Sequence, residues 1–264
     1  MEVYLMRIFR KKHADEVVSR KKYSLLTGDS ITVAGHTLYR IIARTDIPKW
    51  GVHVGDKGGW VESEYNLSQE GSAWISNWAK VYDAAVVSED AWVSGHAEIS
   101  DNAEIFGEAR VFELAKVSGK AAIGGEAQVY GTSQVFENAK VLGDACIYGD
   151  SRVSGNAEAF EKAWVYENAR VYGNARVYEN CRIYGDAYIY GNVKVFGDAC
   201  VFGGAEIYGN AQVYDRAQIS EDARVFDDSW VYGNAVVSGQ IKVSNEAQIY
   251  NGTSLNDYLT GLAG

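Results

Sequence analysis

Residues 169–190 read ARVYGNARVYENCRIYGDAYIY, and this stretch decides the fold. An aliphatic residue returns every six positions, at Val171, Val177, Ile183 and Ile189. Extended outward, the register runs without insertion or deletion from Ile75 to Ile249, and Ala159 alone departs from Val or Ile. A second slot, two residues earlier, is nearly always small: Ala73, Ala79, Ala85 and Ala91 begin it, Ser133, Ser151, Cys181 and Ser229 vary it, and Val193 and Ile241 are bulky exceptions. Pairs such as Gly173-Asn174 and Gly185-Asp186 separate the slots.

Residues i and i+2 of a strand face the same side, so the small residue and the following aliphatic point inward together. Gly and Asn tolerate the dihedral angles of a sharp corner. Three hexads close a triangular coil of 18 residues, and the repeat makes about ten coils, each covering only its neighbours. At roughly 4.8 Å per stacked strand the prism is about 48 Å long. Period six does not follow a 3.6-residue turn, which argues against an amphipathic helix. A right-handed triangular β-helix stays open on these grounds, since the usual crossover rule favours right-handed connections.

The hexad resembles the hexapeptide repeat of left-handed β-helix proteins, with aliphatic and small slots in the expected phase. Ahead of it stand Lys22-Tyr23, Gly58-Gly59-Trp60-Val61, Leu67-Ser68-Gln69-Glu70-Gly71 and Trp74-Ile75. Their order resembles the start of YdcK-type hexapeptide-repeat proteins of enterobacteria and of related proteins in phages and prophages. The resemblance implies an all-β, left-handed triangular parallel β-helix. Members are described as acetyltransferases on the strength of their fold, and fold does not imply activity.

The chain divides by composition. It has 264 residues and a net charge of −10; residues 1–50 carry +5 and the remainder −15. Segments Ser30–Ala34 and Thr37–Arg44 alternate as strands around an Ala34-Gly35-His36 turn. The expected organisation is a β-rich cap over 1–60, the β-helix over 61–252 and a capping helix over 253–264. Ser254 would be the helix N-cap, and Leu255, Tyr258, Leu259 and Leu262 fall at helical spacing. A cap is expected because an open β-helix end presents unpaired backbone groups. No run of about 18 apolar residues is present, so no membrane span is expected. Nor is there a secretory leader pattern, and the expected location is cytoplasmic.

Chemistry-bearing residues are few. Of His13, His36, His53 and His96, only His96 lies in the repeat, at a corner slot. In an acyltransferase of the hexapeptide-repeat class, His96 would be the general base and acetyl-CoA the cofactor. The fold's zinc enzymes need three His ligands, which the repeat does not supply, so no metal and no cofactor is expected. Cys146 and Cys200 share a face about 14 Å apart, too far for a disulfide, and Cys181 sits in an inward slot. The corner acids, among them Asp83, Glu89, Asp150 and Asp227, read as solvated turns; the glycine-rich calcium nonapeptide is absent.

The aromatics carry more information. The slot after each aliphatic points outward and sorts into three ladders with a step of 18. One holds Phe112, Tyr130, Tyr148, Tyr166, Tyr184 and Phe202. The others are Phe160, Tyr178, Phe196, Tyr214, Tyr232, Tyr250 and Tyr172, Tyr190, Tyr208, Phe226, with Arg152 and Arg170 beside the latter. Stacked rings stabilise a sheet, and contiguous aromatic surface also marks self-association. The leading expectation is a non-catalytic scaffold or binding module, self-associating through the Phe112–Phe202 ladder as a homo-oligomer, a trimer in keeping with the fold. The alternatives are the acyltransferase and a phage-associated inhibitor that sequesters a bacterial host protein or a nucleotide. The basic stretch Arg7, Arg10, Lys11, Lys12, Arg20, Lys21, Lys22 suggests nucleic acid, but the acidic prism opposes it by repulsion.

Overall fold

The computed structural model describes residues 21–250 and 254–255. From Trp74 onward the chain runs as two-residue strands joined by corners, and every third strand pairs in parallel with its predecessor one coil earlier. Three sheets result, one per side of a triangular solenoid. The first runs from Lys80–Val81 to Lys242–Val243, the second from Trp74–Ile75 to Ser254–Leu255, and the third from Val86–Val87 to Gln248–Ile249. Register is kept throughout: Arg152 faces Arg170, Arg170 faces Tyr188, and Val171 faces Ile189.

Both expected inward slots are buried. Val165, Val171, Val177, Ile183 and Ile189 are fully inaccessible, as are Ala163, Ala169, Ala175, Cys181 and Ala187. Ala159 keeps the phase and is buried too. Each buried Val or Ile contributes roughly 1.5–3 kcal/mol, and the small slot lets the three walls approach around it. Ser133 and Ser151 also point inward, and their hydroxyls donate to the Tyr130 and Tyr148 carbonyls at 2.7 and 2.8 Å. Coils are tied by backbone bonds seventeen residues apart, such as Arg170 N–H to the Ala187 carbonyl at 2.9 Å.

The corners turn through a left-handed residue. Gly173 has φ 73°, but Glu137, Glu167 and Glu179 adopt 57–61° at the equivalent position. Such a conformation costs about 1 kcal/mol outside glycine. An interaction not foreseen from the sequence offsets it. The acidic side chain accepts the backbone N–H of the residue 18 further on, as Glu113 does from Gly131 and Glu167 from Gly185, each at 2.9 Å. Asp83, Glu89 and Asp227, expected as merely solvated, do the same. Beside this run lies an amide ladder, Asn138 to Asn156, Asn174, Asn192, Asn210 and Asp228, with steps of 2.9–3.0 Å.

The N-terminal cap is an antiparallel hairpin, β1 (Tyr23–Val33) and β2 (His36–Ala43), followed by β3 (Lys57–Val61). The turn lies at Ala34 and Gly35, both at positive φ, as a two-residue hairpin turn requires. β3 pairs antiparallel with β2 and parallel with Lys80–Val81, so the cap continues the first sheet. At the other end the last strand among the described residues is Ser254–Leu255, paired with Val236–Val237. These two residues were expected to open a helix; instead they extend the second sheet. Tyr258, Leu259 and Leu262 lie outside the described residues, as do Arg7, Arg10, Lys11, Lys12 and Arg20. No helix among the described residues is long and apolar enough to cross a membrane.

Candidate functional site

The segments that precede the repeat converge on the seam between hairpin and first coil. Lys22 is buried; its N–H donates to Gln69 Oε1 at 2.8 Å, and its Nζ to the Glu70 and Gly71 carbonyls at 3.2 and 3.3 Å. Burial pulls its ammonium down to about 8, against the opposing pull of Asp90 and Glu70. Tyr23 is also buried, and its hydroxyl donates to the Leu67 carbonyl at 2.7 Å. Gly58 and Gly59 are squeezed between layers: a Cβ on Gly59 would lie 2.5 Å from Ile75 Cγ2 and 2.6 Å from the Ala79 carbonyl. These motifs are therefore structural fasteners.

One titratable cluster stands at this seam. His36, at the start of β2, places Nδ1 3.1 Å from Glu62 Oε1 and Nε2 3.3 Å from Asp83 Oδ1, and its ring tilts onto Tyr82. The Glu62 hydrogen bond, then the Asp83 charge, raises the imidazole above its ordinary range, while the same bond lowers the Glu62 carboxyl. One ligand atom from each of the three lies within 4.8 Å of the others. However, the two nitrogens address different carboxylates, which is how an imidazolium sits between two acids. No local sequence pattern signals this cluster, because Asp83 reaches His36 only through the pairing of β3 with the first coil.

His96 is exposed, and its ring lies parallel to Trp78 at 6.4 Å. Among the described residues the ring makes no hydrogen bond that would set a tautomer for base catalysis. Trp78 also stacks on Trp60 at 6.1 Å, under the Arg40 guanidinium. Cys181 is buried and its thiol pushed up by burial; Cys146 and Cys200 lie half-buried on the outer side of the second sheet.

The Phe112–Tyr130–Tyr148–Tyr166–Tyr184–Phe202 residues form one continuous stack, with centroids 4.8–5.0 Å apart and planes within 8°. The second and third series stack likewise. All six rings of the first stack are half-buried, and partial burial pushes the Tyr166 hydroxyl up to about 12. Ring faces are spent on one another, and the rings stand at the corner where the chain leaves the second sheet for the first.

The three outer faces differ in charge. In the first sheet all outward strand positions are charged except Gln134 and Tyr188. The second sheet presents Trp92, Gln128, Cys146, Trp164, Cys200, Gln218 and Val236, with Arg110 and Arg182 its charged positions, while Trp74 at its start is buried under the cap. Arg182 lies over the Trp164 ring at 5.7 Å and Arg110 over Trp50 at 5.3 Å. Trp164 is 43% exposed. The third sheet is intermediate, with Glu104, Lys140, Glu158, Arg176 and Lys194.

Comparison with known proteins agrees with the repeat. The family model described as YdcK beta solenoid repeat matches residues 169–185 and 217–233. No curated protein matches. Among solved structures, the chain is similar to that of "Activity and Crystal Structure of Francisella novicida UDP-N-Acetylglucosamine Acyltransferase", at 14% identity and a TM-score of 0.46. The match covers 57% of this chain and 60% of that one.

Proposed function

We propose that this YdcK-type hexapeptide-repeat protein is a non-catalytic scaffold that self-associates along its second sheet, with the Phe112–Phe202 stack at the edge of the contact. The observation that carries the reading is the charge depletion of that one face. Interface cores are poor in charge and rich in Trp, Tyr, Phe and Arg, which is the composition running from Trp92 through Trp164 and Arg182 to Val236. The face measures roughly 50 Å by 15 Å, close to the ~800 Å² per partner of a stable interface. Two copies share one rung spacing, so side chains can match rung by rung along the rod. Packing this face of each prism around a threefold axis gives a trimer.

Cys200 supplies a test, because it lies on the proposed contact while Cys181 is in the core. Alkylation of Cys200 should slow as protein concentration rises, and Trp164→Glu should abolish that protection. A Cys200 rate independent of concentration would count against the face.

A further inference from the structure

The first sheet holds a feature that self-association does not use. Arg152 and Arg170 stand directly opposite each other on paired strands, both exposed. Like charges in that relation are destabilising. Other opposed cations include a member with an acid on its far side: Arg224 faces Lys242 but pairs with Glu206 at 3.4 Å, and Arg176 faces Lys194 but pairs with Glu158 at 3.0 Å. Arg152 instead has Gln134 on one side and Arg170 on the other, and Arg170 lies over the Tyr188 ring at 5.2 Å. Neither arginine forms an ion pair among the described residues.

The two guanidinia border a groove of about 370 Å³ between the sheet and its corner, lined also by Gln134, Asn168, Asp150 and Asp186. Its carboxylates are engaged at the corner. Asp150 accepts from the Thr132 hydroxyl, and Asp186 accepts from Asn168 Nδ2 at 3.0 Å. These neutral partners leave both carboxylates charged, but among the described residues neither lies within ion-pair distance of the two forked donors, which are held one strand spacing apart.

We propose that Arg152 and Arg170 bind a small phosphate-bearing ligand, with one guanidinium on each side of the oxyanion. Two planar forks suit a tetrahedral dianion, each able to donate in pairs. Asp150 and Asp186 restrict the site to a single headgroup, since they would repel the neighbouring charges of a polyanion.

Inorganic phosphate is the probe, titrated calorimetrically into the full chain, with chloride at matched ionic strength as the screening control. The parent should bind one phosphate per chain saturably, and Arg152→Gln/Arg170→Gln should bind at least tenfold more weakly. Arg216→Gln, at a distant corner, should bind as the parent does. Without phosphate, the double variant should melt at or above the parent temperature, because the repulsion has been removed. No saturable binding beyond chloride, unchanged binding in the double variant, or a lowered melting temperature of that variant would each overturn the proposal. Adenosine monophosphate and glucose 6-phosphate in place of phosphate then separate a nucleotide from a sugar-phosphate source.

Discussion

Glu137 Oε2 accepts the backbone N–H of Gly155, one coil further on, at 2.6 Å, while Glu137 itself holds a φ of 61°. The acid pins the next corner and thereby offsets the strain of its own. Removing the carboxyl leaves the strain and loses the bond. Glu137→Ala should therefore cost about 1 kcal/mol in chemical denaturation, Glu137→Gln less, because its amide oxygen still accepts, and Glu137→Gly least, because it relieves the backbone.

The cap depends on close approach at Gly59. A methyl there collides with Ile75 and with the Ala79 carbonyl, which belongs to the backbone and cannot swing away. Gly59→Ala should destabilise by about 1–3 kcal/mol. Hydrogen exchange should place the loss in β2, β3 and the first coil, leaving residues beyond 150 protected as in the parent.

His36 makes the cap sensitive to pH. Its imidazole is raised by Glu62 and Asp83, so the cap's extra stability is complete below the unfolded value of about 6.5 and is lost as pH rises through the folded value. Glu62 is lowered, so its share is complete above its unfolded value and is lost as pH falls through the folded one. The other groups facing the imidazole are Asp83 and Tyr82, whose hydroxyl bonds Glu98 at 2.6 Å and is raised to about 12. Melting temperature should plateau in mildly acidic solution and decline above neutrality; His36→Gln should flatten the alkaline limb.

Val177 is fully buried, and Tyr178 beside it stacks on Phe160 and Phe196. Val177→Asp places an unpaired charge in the core and should abolish cooperative folding of the central coils. Tyr178→Ala removes two stacking contacts and should cost about 1–2 kcal/mol with the fold retained. Circular dichroism melts distinguish the two; a Val177→Asp protein that melts like its parent would show that the side chain does not point inward.

The solenoid was legible because one physical rule repeats without interruption: Val171 and Ala169 share a face, and so do their equivalents in every coil. The aromatic series followed from the same arithmetic. The cap was legible only as two strands. The contacts of Lys22 with Gln69 and of His36 with Asp83 join residues 47 apart, and no local pattern encodes that distance. The corner acids are legible as exposed turn residues, but their hydrogen bonds are not, since an acid and its N–H partner 18 residues later look like two unrelated polar turns until the coils are stacked. At the C-terminus the helical spacing of Leu255, Tyr258 and Leu259 competed with the solenoid register, and at Ser254–Leu255 strand pairing prevailed.

Self-association along the second sheet is tested most directly by light scattering coupled to size exclusion, on the parent and on Trp164→Glu. The parent should elute at a multiple of the 29.0 kDa chain mass, threefold for the trimer, and the variant at the chain mass with unchanged circular dichroism. A monomeric parent, or a variant that keeps the parent's mass, would contradict the account.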